Sequence, residues 1–90
     1  MYPILEKRQL SDSVYRITIQ APLIARERFA GQFVILQLDQ NFGERIPLTI
    51  ADADPDAGTV TLIFQSVGKT TLRLSQLKEG DSIENLLGPL

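Results

Sequence analysis

Short runs of alternating apolar and polar residues, each bounded by Gly, Pro, Asp or Ser, recur along the whole chain. This two-residue period confines the chain to strands nearly everywhere. In Val14–Gln20, Tyr15, Ile17 and Ile19 fall on one face and Arg16, Thr18 and Gln20 on the other, the pattern of a strand buried on one side. Thr59–Gln65 repeats it with Val60, Leu62 and Phe64 against Thr61, Ile63 and Gln65. Ile4–Leu10 reads as an edge strand, Phe33–Leu38 as a more apolar one, and Arg45–Ala51 as a β-rich run broken by Pro47, which points to a bulge or a special exposure. Asp52–Gly58 is a turn-forming loop joining that run to Thr59–Gln65 in a hairpin, and Asp39–Gly43 reads as another hairpin loop. Leu23–Phe29 is a charged connection anchored by Leu23, Ile24 and Phe29, with room for a helical turn.

The period changes once. Leu74 and Leu77 lie three apart behind Thr70 and Thr71, and Gly80 supplies a stop, so a short helix is expected over about Thr70–Leu77. Asp81–Leu86 then returns as the last strand. Six strands with one helix before the last predict an all-β protein, a small antiparallel barrel, because closure hides strand edges in a domain this small.

Composition narrows the chemistry. Ninety residues support one core rather than two. The chain has no Cys and no His, which excludes disulfides, thiolate or imidazole metal sites and Ser-His-Asp or Cys-His catalysis. A net charge of −2 without a basic run argues against nucleic acid, and the absence of a long apolar stretch argues against a membrane span or a signal peptide, so a cytoplasmic location is expected. Asp52, Asp54 and Asp56 are spaced like the start of a calcium loop but lack the Gly and Glu that should follow, and read as a solvated turn.

Three segments stand out. Gly68-Lys69-Thr70-Thr71 opens the expected helix, where backbone N–H groups and the dipole suit a phosphate, although an ordinary glycine turn with a Thr cap has the same sequence. Arg45-Ile46-Pro47-Leu48-Thr49 offers apolar cover for a flat ring and one hydroxyl, or simply an edge strand with a bulge. Ala30-Gly31-Gln32-Phe33 is a strand entry of the kind a turn before a core strand also produces.

Taken in order, Gly31-Gln32-Phe33, Arg45–Ile50, Gly68–Thr71, Gly80-Asp81 and Gly88-Pro89-Leu90 resemble the FAD-binding domain of the ferredoxin–NADP reductase family across nearly all ninety residues. The resemblance is closest to the branch holding dihydroorotate dehydrogenase electron-transfer subunits, sulfide dehydrogenase subunits and the small subunit of the NADH-dependent ferredoxin–NADP oxidoreductase. It implies a six-stranded antiparallel Greek-key barrel that binds FAD. Thr49 would take the hydroxyl position near the reactive flavin nitrogen, Leu48 would replace an aromatic residue against the ring, and Pro47 and Ile50 would complete its bed. Gly68, Lys69, Thr70 and Thr71 would cradle the pyrophosphate, with Phe64, Gln65 and Ser66 lining the ribityl or nucleotide side. Anchoring the family motif on Thr49 puts Ile46 where the family has Arg and leaves Arg45, the expected phosphate ligand, one residue early.

The family's NAD(P)-binding domain and the cysteine-rich segment that carries a two-iron, two-sulfur cluster in several members are not among these residues. The resemblance thus implies a longer NAD(P)H-dependent flavin oxidoreductase with an electron-transfer partner subunit, and ninety residues inactive alone. The rival expectation from the same fold is a noncatalytic barrel module without cofactor.

Overall fold

The computed structural model describes residues 1–27, 32–39 and 44–90. Within them the chain runs β1 (Tyr2–Gln9), β2 (Val14–Gln20), α1 (Pro22–Glu27), β3 (Phe33–Gln37), β4 (Ile46–Asp54), β5 (Thr59–Gln65), α2 (Lys69–Gln76), β6 (Ser82–Ile83) and β7 (Asn85–Leu87). The sheet order is β6-β1-β2-β5-β4-β3-β7, with every pairing antiparallel. β3, β4 and β5 follow one another as neighbours while β2 lies beside β5, so α1 carries the chain across the barrel from β2 to β3 in a Greek-key connection.

Seven strands stand where six were expected, because the expected Asp81–Leu86 strand divides. Tyr2 and Pro3 of β1 pair with Ile83 and Ser82, and Ile35, Leu36 and Gln37 of β3 pair with Leu87, Leu86 and Asn85. Between the two halves the Glu84 N–H donates to the Leu38 carbonyl at 3.0 Å. β1 and β3 are the two edges of the curled sheet, and one short segment joins both by changing partner at Glu84.

The faces follow the alternation. Ile17 and Ile19 of β2, Val34 and Leu36 of β3, Val60 and Leu62 of β5, Leu74 of α2 and Ile83 of β6 are wholly buried in one core. A second helix was expected only as a possible turn. α1 has Pro22 as its first residue, where a missing N–H costs nothing, and buries Ile24 and Ala25. Leu23, expected as an anchor, is instead exposed, because the buried stripe of so short a helix is only two residues wide. Phe29, the Gln40–Gly43 part of the expected hairpin loop, and Ala30 and Gly31 of the expected strand entry lie outside the described residues.

The bulge expected at Pro47 lies elsewhere. Pro47 sits in regular register opposite Ile35, and the shift in β4 falls between Ile50 and Asp52, leaving Ala51 as the extra residue. Pro47 is accommodated because β5 pairs with β4 only from Ile50 onward, so the Ile46–Thr49 half of β4 has a ladder on its β3 side alone. At the other end of β4 the Asp54 carboxylate accepts the N–H groups of Asp56 and Ala57 at 3.0 and 3.1 Å and closes the turn. Gly58 ends that turn at φ +73°, and a Cβ there would lie 3.3 Å from the Pro22 ring. Gly58→Ala is expected to destabilise the protein by about 1–2 kcal/mol in urea unfolding, the usual penalty of a left-handed non-glycine residue.

Candidate functional site

The open half of β4 separates its side chains cleanly. Ile50 is buried, Ile46 and Leu48 are half-buried and packed against the core, and Pro47 and Thr49 are exposed on the other face, with exposed Arg45 just before the strand. Thr49 pairs across the ladder with Phe33, which is 37% exposed. Cross-strand partners lie about 5 Å apart, so Phe33 adds an aromatic ring beside the Thr49 hydroxyl. The sequence marked Phe33 as part of a strand and its entry and gave it no site role; its register opposite Thr49 is what brings it beside that hydroxyl.

α2 begins beyond β5 with Gly68 at its N-cap, in extended backbone at φ −128° and ψ 177°. Glycine has no oxygen to offer the first turn. The Thr71 hydroxyl reaches back instead, accepting the N–H groups of Gly68 at 2.9 Å and Val67 at 3.1 Å, half of a capping box. That backbone angle is open to any residue, and a Cβ on Gly68 would meet nothing nearer than the Thr71 Oγ1 at 3.8 Å. Nothing in the chain's own packing demands glycine here. The space in front of the helix start is therefore open, and a side chain at Gly68 would occupy it.

The other expected contacts divide by burial. Gln65 and Ser66 reach Ser13 in the β1–β2 turn, the Ser66 hydroxyl bonding its carbonyl at 3.3 Å. Phe64 is 4% exposed and stacks on Tyr15 at 5.7 Å between ring centroids. Phe64 and Ile50 thus spend their side chains on the core, and a ligand would meet them only through backbone. Lys69 is exposed, whereas Thr70 is buried and donates its hydroxyl to the Glu44 carboxylate, joining the residue before Arg45 to the first turn of α2. The far end of α2 is held by Lys7, whose ammonium donates to the Ser75 and Leu77 carbonyls at 2.5 and 2.7 Å and lies over the Tyr15 ring.

Arg45, Pro47, Thr49 and the Gly68–Lys69 start of α2 therefore present exposed surface. An apolar hollow lined by Tyr2, Pro22, Leu23, Leu86 and Leu87, and a more polar one bordered by Glu6, Arg16, Thr18, Asp52 and Thr61, include none of them. No helix among the described residues is long and apolar enough to cross a membrane.

No protein-family model matches the chain. It is 47% identical over all its length to an uncharacterized protein from the adh 3′ region of Clostridium beijerinckii, and 42% identical over 97% of its length to a homolog of the dihydroorotate dehydrogenase B (NAD(+)) electron transfer subunit from Thermotoga maritima. The chain spans about 30% of the length of each. Among solved structures, that of an NADH-dependent reduced ferredoxin–NADP oxidoreductase studied for flavin-based electron bifurcation superposes with a TM-score of 0.95 at 40% identity, over 99% of this chain and 32% of that one. By sequence and by fold together, these ninety residues are similar to one domain of the ferredoxin–NADP reductase-like proteins, on the side of the dihydroorotate dehydrogenase electron-transfer subunits.

Proposed function

We propose that this barrel is the FAD-binding domain of a longer flavoprotein that passes electrons from NAD(P)H to an iron–sulfur or protein acceptor. The observation that carries the reading is the glycine N-cap of α2, which leaves open space at a helix start that the Thr70–Glu44 bond ties to the residue before exposed Arg45, with Pro47 and Thr49 exposed further along β4. A pyrophosphate suits the first, and an isoalloxazine suits the second. The chemistry supplied by a bound FAD is acceptance of two electrons as hydride and their release one at a time; the chain's residues bind, orient and polarise.

Within this reading the Gly68–Thr71 backbone holds the pyrophosphate, and the exposed Lys69 and Arg45 add positive charge beside it. Pro47 and the neighbouring Phe33 provide the apolar bed, whereas Leu48, expected against the ring, turns to the core. Thr49, exposed and on the same face as Pro47, offers its hydroxyl to a polar ring atom. Gln65 and Ser66 border the ribityl chain from the end of β5. The cofactor lies over an open face, so a second domain is expected to cover it; the nicotinamide nucleotide and any two-iron, two-sulfur cluster belong to that part of the protein.

Titration with FAD, riboflavin and ADP tests the reading directly. Saturable FAD binding that ADP weakens, accompanied by a rise in melting temperature, is the expected result; at 100 times Kd the bound ligand stabilises by about 2.7 kcal/mol. A protein that binds none of the three, in the presence of every domain its gene encodes, is a noncatalytic barrel.

A further inference from the structure

We infer that Glu44 and Thr70 form a latch that positions Arg45 at the start of α2, making both of them positioning residues for the phosphate end of the cofactor. The inference rests on the FAD reading above and adds residues that the resemblance either did not mark or marked for another role. Thr70 was expected to touch the pyrophosphate. Its side chain is 2% exposed and its hydroxyl donates to the Glu44 carboxylate, across 26 residues of sequence. A hydroxyl buried that deeply needs a partner, and Glu44 is the one it has taken.

The pairing has a particular consequence for Arg45. Ile46 occupies the position where a family arginine would stand, so the arginine of this segment arrives one residue early, before β4 begins. A residue outside the ladder has no strand register to aim it. Glu44, its neighbour, is fastened to the second residue of α2, and this fixes the backbone that carries Arg45 beside the helix start. A carboxylate beside a helix N-terminus also repels phosphate. Glu44 is therefore useful to an anion site only through the position it imposes, which separates this role from that of a ligand.

The test compares binding of FAD and of riboflavin, which lacks phosphates, to the flavin-free protein and four variants. Thr70→Val and Glu44→Ala are each expected to weaken FAD binding about tenfold, the loss of one charge-assisted hydrogen bond, and to leave riboflavin binding within about twofold. The double variant should be no weaker than either single one, because both break the same bond. Thr70→Ser, which keeps the hydroxyl, should bind FAD as the parent does. Melting temperatures of the flavin-free proteins establish that each variant is folded. FAD binding unchanged in Thr70→Val and Glu44→Ala, or tightened in Glu44→Ala through relief of repulsion, overturns the latch while the FAD reading stands. Equal losses for FAD and riboflavin also overturn it, since a general loosening of the barrel would not single out the phosphates. If the parent protein itself binds no FAD, the failure lies with the function proposed above.

Discussion

Gly68→Asp is expected to give a flavin-free protein as stable as the parent or more so, and an affinity for FAD lowered by about 100-fold, or about 2.8 kcal/mol at 1.4 kcal/mol per decade. The two effects have opposite signs for one reason. Gly68 holds the extended backbone of an N-cap but lacks the oxygen that an N-cap normally supplies, and a Cβ there meets only the Thr71 Oγ1 at 3.8 Å. Aspartate fits that backbone, can accept an N–H of the first turn, and complements the helix dipole, which together are worth about 1 kcal/mol. The same carboxylate fills the space proposed for the pyrophosphate and repels it. Melting curves with and without FAD, beside a fluorescence titration, read both effects in one set of samples. Parent-like FAD binding by the variant would remove the pyrophosphate from the α2 start.

Leu74→Ala is expected to cost about 2–5 kcal/mol, a large share of the roughly 5–15 kcal/mol available to a domain of this kind. Leu74 is wholly buried and is the one apolar side chain that α2 sinks completely into the core. The loss should be concentrated in α2. Its C-terminal end stays tied through Lys7 to the Ser75 and Leu77 carbonyls, whereas its N-terminal end, the proposed phosphate site, loses the anchor beneath it. Hydrogen exchange should therefore show α2 amides opening before those of β2 and β5, and FAD binding failing in urea below the midpoint of global unfolding. Leu72→Ala on the exposed side of the same helix, where the side chain is 53% accessible, should move the midpoint little.

What could be read beforehand was whatever depends on neighbours in sequence. The inward faces of β2 and β5, the turn at Asp54–Gly58 and the start of α2 all follow from alternation, turn residues and a change of period, which are local signals. The division of the closing segment at Glu84 does not, because it is set by where β1 and β3 come to lie once the sheet has curled. The bulge belongs to the same class. Pro47 carries an obvious local signal, yet the irregularity falls at Ala51, where β4 acquires its second neighbour, and Pro47 sits undisturbed in the half that has only one. Site residues show the same division. Gly68, Lys69 and Thr49 are exposed as a site requires, while the side chains of Ile50 and Phe64 obey the inward half of an alternation that was already legible in their own strands. The bond from Thr70 to Glu44 joins residues 26 apart and left no trace in either segment.

The partner change at Glu84 also bears on how the protein is made. The segment that joins β1 to β3 is translated after all five of the other strands, so a nascent chain carries two unpaired edges until Ser82–Leu87 has left the ribosome. β1 meets that interval with Glu6, Lys7 and Arg8 in its sequence, charges that discourage a stray strand from pairing with it. β3, reading Phe-Val-Ile-Leu-Gln, has no such guard, and in a chain stalled or cut before Ser82 it would be the strand through which aggregation begins.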